Sequence, residues 1–308
     1  MHAARMPTDL QIEAFGRFMA QHRAAVLADA ELCQGLLRIS GRRDQGPQAA
    51  AVAWDAQVGN AIAALKMIES SLPAEDSIDE GAILEVGGGL GLLHAWLRRR
   101  GLPITSLEPG LAGHPESFAL AGRALALLGC DGREFLPLSA EQAPSLRRRF
   151  ALIFSYNVLE HLSDLPGSLT ALATCLLPGG RMRHSCPNYR VPYEPHFGLP
   201  LWPLPPRWLE RWLPALRDDE LWRGLNFLSA SDLQRWAAAH GLVARFDDAQ
   251  TYRTFLRLES EPSFSDKHPR LFRLGRLLRR LRLLSLLRHL PPTWMTPMQV
   301  TFCHPDAV

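Results

Sequence analysis

The chain has 308 residues, 47% of them hydrophobic, with 34 basic against 31 acidic side chains and a formal net charge of +3. This excludes disorder as the main state and fits one large domain with an extension, or two smaller domains, either of which can bury a real core. So small a charge would point to no partner if it were even, but Lys267 to Leu290 hold eight basic residues and no acid, so the remainder carries 3 − 8 = −5.

From about Thr8 to Ser71 the apolar spacing is helical, with Ile12, Phe15, Phe18 and Met19 on one face and a second segment, Ala50 to Ile68, after a GRRDQGP break at 41–47. Residues 1–75 therefore read as a helical extension and 76–308 as the main domain. After Gly81 the chain alternates helical stretches with short apolar runs at 82–86, 103–107, 134–138, 151–155, 180–186, 242–246 and 299–303. Such runs, spaced by helix-length segments, predict an α/β fold with a mostly parallel seven-stranded sheet covered on both faces.

Two inserts interrupt the rhythm. Residues 187–228 hold eight of the 24 prolines, and 250–297 hold an Arg/Leu segment. Five cysteines stand far apart with no CxxC pair, which points to a reduced cytoplasm without a disulfide framework or zinc site. The first residues carry no apolar run before a cleavage motif, and 18 consecutive uncharged apolar residues occur nowhere, so neither secretion nor a membrane span is expected.

The strongest chemical signal is Ile83-Leu84-Glu85-Val86-Gly87-Gly88-Gly89-Leu90-Gly91, an apolar strand entering a glycine turn before a helix. Glycines there let a backbone approach a ligand, and the helix N-terminus offers free N–H groups. A dinucleotide fingerprint would need GxGxxG, yet position 92 is Leu, which disfavours a nicotinamide oxidoreductase. Glu85, just before the glycines, suits a ligand with a cationic amino-acid group. Glu108, 17 residues after Gly91 at the end of the next run, can accept from both hydroxyls of a ribose.

Further on come Asn157-Val158-Leu159-Glu160-His161-Leu162 and Leu177-Pro178-Gly179-Gly180. With the ExGGGxG turn and the spaced acid in this order, residues 80–190 resemble the class I S-adenosylmethionine-dependent methyltransferases, of the broad bacterial group that includes ubiquinone-biosynthesis O-methyltransferases. The resemblance implies a Rossmann-like sheet and S-adenosyl-L-methionine as cofactor, held by Glu85, Gly87, Gly89, Gly91, Glu108 and Asn157. Where the family often has an acid for the adenine amino group, this chain has Ser139, so adenine recognition falls to Ser139, Ala140 or Glu141. Some relatives in the ubiquinone group bind a divalent metal through acids near the Glu–His pair; Asn157 stands where an acid would precede it, so no metal is expected.

His161 and His196 are the competing candidates for a base that deprotonates an acceptor hydroxyl. The proline-rich insert cannot be a regular helix or central strand, and Tyr193, Glu194, Phe197 and Trp202 in it are either acceptor contacts or aromatic packing. The expected reaction is methyl transfer to a small or lipid-like hydroxyl; nitrogen and carbon acceptors stay open, as does a catalytically weak cofactor-binding scaffold. In the basic segment, Leu271, Leu274, Leu277, Leu278 and Leu281 project as one arc with arginines opposite. Peripheral contact with an inner membrane, packing on its own domain and packing on a partner are all consistent with that pattern. Nucleic acid is not expected, because Lys is nearly absent and no aromatic residue beyond Phe272 interleaves with the arginines.

Overall fold

The computed structural model describes residues 8–40, 46–72, 83–110, 116–201 and 206–307. Each of the seven apolar runs forms a strand. β1 (Ile83–Val86), β2 (Ile104–Leu107), β3 (Phe135–Leu136), β4 (Phe150–Tyr156) and β5 (Leu176–Cys186) come first. A two-stranded hairpin follows in the first insert, β6 (Tyr193–Glu194) with β7 (Leu199–Pro200), and then β8 (Val243–Phe246) and β9 (Met298–Cys303). The sheet order is β3-β2-β1-β4-β5-β9-β8. β1 pairs in parallel with β2 and β4, β2 pairs in parallel with β3, and β8 runs antiparallel to β9. β1 and β2 are buried at every position, which is why their sequences are continuous apolar runs rather than alternating ones.

The order reverses direction between β1 and β4. Crossovers leave this point toward opposite edges, so the C-terminal ends of β1 and β4 form the crevice where open α/β sheets take ligands.

The chain divides into two compact units. One comprises the residues up to Tyr156, Pro166–Arg183 and Ala307; the other comprises Asn157–Leu165 and His184–Asp306. In the first, α1 (Thr8–Ala28), α2 (Ala30–Ile39) and α3 (Pro47–Ile68) precede the sheet, and α4 (Leu92–Arg99), α5 (Ser117–Leu127) and α6 (Leu165–Thr174) connect its strands. The early helices share the sheet's core instead of forming a unit of their own. Phe15 and Phe18 lie 5.7 and 5.6 Å, centroid to centroid, from Trp96 of α4, and Trp54 is fully buried in the same cluster as Ile83 and Leu152. Each such aromatic contributes roughly 1.5–3 kcal/mol by burial. Asp29 caps α2 through the Leu32 N–H at 2.8 Å, and Arg123 of α5 pairs with the same carboxylate. The GRRDQGP break lies mostly outside the described residues; α3 opens with Pro47, as a first-turn proline permits.

The second unit contains the hairpin, α7 (Ala215–Asp218), α8 (Glu220–Gly224), α9 (Ala230–Ala239), α10 (Gln250–Ser260), α11 (Pro262–Lys267) and α12 (Pro269–Arg280). The proline-rich insert builds a small core of Leu201, Leu216, Trp222 and Leu225, on which Tyr189, Phe197 and Phe227 pack. Asn188, fully buried, ties it together: its amide donates to the Thr293 and Met295 carbonyls and its carbonyl accepts from the Arg190 and Ala230 N–H groups. The basic helix divides its apolar arc. Its leucines do not form one covered face: Leu271, Phe272 and Leu278 pack against Phe255 and Leu258 of α10, while Leu274, Leu277 and Leu281 are exposed.

Candidate functional site

The first unit builds the glycine turn. The Gly87 and Gly88 N–H groups both donate to the Leu107 carbonyl, at 2.8 and 3.0 Å, fastening the turn to the end of β2. Gly87, Gly89 and Gly91 have φ of 75°, 54° and 73°, the left-handed region that costs other residues about 1–2 kcal/mol. The glycines have different spatial reasons. A Cβ on Gly88 would meet Phe135 at 2.7 Å and one on Gly91 would meet Leu125 at 2.8 Å, so both make room for the core. A Cβ on Gly89 would meet nothing within 4 Å. The backbone is therefore open to a ligand at Gly89, and Gly91 caps α4, whose first N–H groups are unpaired by the helix itself.

Glu85 lies under this turn. Its buried carboxylate accepts from Ser106 Oγ at 2.6 Å, and His94 Nδ1 lies 2.9 Å from the same hydroxyl. Burial holds His94 down at about 4, so it is neutral near pH 7. Burial likewise pushes Glu85 up to about 7, against the Ser106 bond and with help from the charge of Glu108. Glu108 accepts from the Gly89 N–H at 2.8 Å, from Ser117 Oγ at 2.7 Å and from the Gly110 N–H at 3.3 Å. Of its roughly four acceptor directions one remains for a further donor. These residues fit a ligand that brings a cationic amine and hydroxyls, because the acid beneath the turn is desolvated and the turn itself is open.

Ser139 has a job that the residue alone does not reveal. It caps the 3-10 helix Ala140–Leu146 in a reciprocal box with Gln142, whose Oε1 accepts the Ser139 N–H at 2.9 Å. The SAEQ spacing is the sequence signature of that box. Ala140 is buried directly after it, and the Ser168 hydroxyl donates to Glu141.

The second unit gathers the histidines. Asn157 follows β4 with φ 56°, a conformation Asn tolerates better than most side chains; it is exposed and donates its N–H to the Ser185 carbonyl at 2.8 Å. The next turn, Leu159–His161, directs Glu160 inward, fully buried, with neither carboxylate oxygen at hydrogen-bonding geometry to a described residue. Burial pushes Glu160 up to about 7, opposed by His196 and reinforced by Glu194. Asn226, which carries no signal in the sequence, pins this turn: its amide donates to the Leu159 and Leu162 carbonyls at 2.7 and 3.0 Å.

His196 Nδ1 lies 2.6 Å from Glu194 Oε1, and the Phe197 N–H and Tyr189 hydroxyl donate to the same fully buried carboxylate at 2.6 and 3.2 Å. Burial acts to raise Glu194, but the hydrogen bonds and charge of His196 and the backbone donors hold it below the ordinary carboxylate value. The His161 and His196 rings stand 5.2 Å apart, edge to face. Glu160, His161 and His196 each offer a ligand atom, all within 4.8 Å of one another, a set able to hold a divalent cation that takes nitrogen and oxygen donors. Tyr193 places its hydroxyl 3.3 Å from His268 Nδ1, and Phe197 packs edge-on against Trp222 at 5.7 Å. Trp202 lies outside the described residues. Glu194, which the sequence offered as an acceptor contact, is fully buried and bonded to His196.

A family model described as a methyltransferase domain matches residues 21–245. An uncharacterized protein of Mycobacterium tuberculosis is 33% identical over 195 residues, 60% of this chain and 66% of its own length. A ubiquinone biosynthesis O-methyltransferase of Alkalilimnicola ehrlichii is 31% identical over 172 residues, 55% of this chain and 64% of its own. The chain thus spans slightly less than two thirds of either relative. Among solved structures, phosphoethanolamine N-methyltransferase 2 of Haemonchus contortus with S-adenosyl-L-methionine aligns over 79% of this chain and 52% of its own, at 13% identity and a TM-score of 0.45. The strand order, the glycine turn and the family match over most of its length together make this chain a member of the class I S-adenosylmethionine-dependent methyltransferase family.

Proposed function

We propose that the protein transfers a methyl group from S-adenosyl-L-methionine to a hydroxyl of a small or lipid-like acceptor, with His196 as the general base and Glu194 as its positioning residue. The observation that carries this reading is the 2.6 Å contact between His196 Nδ1 and a fully buried Glu194 that stays ionised. A carboxylate on Nδ1 fixes the proton there and leaves Nε2 as the acceptor for a proton, and it stabilises the imidazolium that results. His161 Nε2 lies 3.9 Å from Glu160 Oε1.

The cofactor, when bound, supplies a methyl group already activated on a sulfonium. This chain's residues bind and orient. Glu85 would pair with the methionine ammonium, the open backbone at Gly89 would pass close to the ligand, and Glu108 would accept from one ribose hydroxyl through its remaining acceptor direction. Ser139, engaged as a cap, leaves the adenine edge to backbone groups near Ala140. In-line positioning then does most of the work, with the base removing the acceptor proton as the bond to oxygen forms.

The test is turnover with labelled S-adenosyl-L-methionine against a panel of phenols, alcohols and amines. His196→Gln should lower kcat on a hydroxyl acceptor by about 10²–10⁴ while cofactor affinity stays unchanged, and Glu194→Gln should move the acid limb of the pH–rate profile. Turnover of His196→Gln within about threefold of wild type, below the usual contribution of a base, or transfer to amines alone, overturns the assignment. The unpartnered Glu160 carboxylate favours a second reading, in which a divalent cation on Glu160, His161 and His196 acidifies the acceptor hydroxyl. That reading requires loss of activity with a chelator and its return with Mg²⁺ or Zn²⁺.

A further inference from the structure

The helix α12 presents two faces with different chemistry. One is closed: Gly275 lies so near Phe255 that an added Cβ would meet the ring at 2.8 Å, and Leu271, Phe272 and Leu278 pack on α10 around it. The other is open. Leu274, Leu277 and Leu281 are 43, 52 and 55% exposed, and at 100° per residue they fall within an arc of about 60°. Arg270 lies in that arc, and Arg273, Arg276 and Arg280 border it on one side. Leu283 and Leu286, 41 and 57% exposed, continue the apolar surface into the following turn.

The arginines of this border form no ion pair with a described residue. Arg279, toward the closed side, pairs with Glu259, and Arg288 bonds the Tyr252 hydroxyl. Arg270, Arg276, Arg280 and Arg282 make no ion pair with a described residue. An ordinary surface helix hides its leucines and solvates its arginines. Here the helix has hidden one set of leucines and shows a second set beside a cationic row that pairs with no acid among the described residues, in a chain that is otherwise net negative.

We infer that this face docks on an anionic phospholipid surface. Charge complementarity selects the occupant: phosphate headgroups answer the arginine row, the acyl boundary answers the leucine row, and arginine stems can lie along apolar surface while their heads reach phosphate. A nucleic acid would answer the arginines but leave the leucines uncovered. A second copy of this chain would cover the leucines but bring the same cationic row against itself. No helix among the described residues is long and apolar enough to cross a membrane, so the contact is one of lying on a bilayer. The inference does not depend on the methyl acceptor or on His196.

The experiment is co-sedimentation of the full chain with phosphatidylglycerol-containing vesicles and with vesicles of phosphatidylcholine alone. Binding to the anionic vesicles should exceed binding to the neutral ones by at least tenfold at low salt and collapse near 1 M NaCl, where the screening length falls to about 3 Å. Arg276→Glu with Arg280→Glu should lower it at least about tenfold. Leu274→Ser with Leu277→Ser and Leu281→Ser should lower it as well, with circular dichroism unchanged because all three side chains are already exposed. Equal binding to both vesicle types, no binding to either, or wild-type binding by both variants overturns the inference. A dimer in sedimentation velocity that the leucine variant abolishes, without vesicle binding by the wild type, assigns the face to a second copy instead and equally overturns it.

Discussion

Replacing Glu85 by Gln should make the protein more stable and its cofactor binding weaker, in the same variant. Burial shifts the Glu85 carboxyl from its ordinary 4.5 to about 7, so the folded state holds this proton more tightly than the unfolded state. The sign follows: between pH 4.5 and 7 folding stability falls as pH rises, and above pH 7 the full cost of an ionised, desolvated acid is present. At 1.36 kcal/mol per pKa unit that cost is about 3 kcal/mol. The amide carries no charge, and its oxygen still accepts from Ser106, so no buried hydroxyl is orphaned. Urea denaturation without ligand should therefore find Glu85→Gln more stable than wild type by up to about 3 kcal/mol at pH 8 and within about 1 kcal/mol at pH 5. A cationic ammonium placed against Glu85 needs the ionised form. Calorimetry should accordingly show wild-type affinity for S-adenosyl-L-methionine weakening about tenfold per pH unit below 7, with a proton released on binding, and Glu85→Gln binding weakly with a flat pH profile. A variant less stable than wild type at pH 8 that binds the cofactor normally would refute both the desolvation argument and the pairing.

Gly89 and Gly91 should separate binding from folding. Gly91→Ala forces Leu125 to move and strains a left-handed residue, so its loss of about 2–4 kcal/mol should appear in the unfolding midpoint. Gly89→Ala adds a Cβ that meets nothing within 4 Å and should cost only the backbone strain, about 1–2 kcal/mol, while cofactor affinity in calorimetry falls by much more than the stability does. Gly35→Ala would put a Cβ 2.2 Å from Leu120 of α5; a destabilisation of about 1–3 kcal/mol in a single cooperative transition is expected, whereas an early helical region that unfolds separately would show two transitions. Asn226→Ala leaves the Leu159 and Leu162 carbonyls without their donor, which should cost about 1–3 kcal/mol and lower kcat through a misplaced Glu160–His161 turn, with cofactor affinity intact.

The central strands β1 and β2 were legible from the sequence because their burial on both faces writes itself as uninterrupted apolar runs, and the ExGGGxG turn was legible because left-handed backbone and close packing each demand glycine. The spaced acid at Glu108 and the histidines likewise announced themselves by residue type. What each glycine is for was not legible, since Gly88 and Gly91 answer to Phe135 and Leu125, distant in sequence, and only Gly89 opens on space. The same holds for the capping bonds of Ser139 and for the contact of Glu194 with His196, which residue type alone does not announce. Periodicity grouped five leucines of α12 on one arc, but it could not say where α10 would cover that arc. Sequence period fixes which residues share a face, whereas the neighbour that removes part of the face from water comes from another segment, and tertiary packing divided Leu271 and Leu278 from Leu274, Leu277 and Leu281.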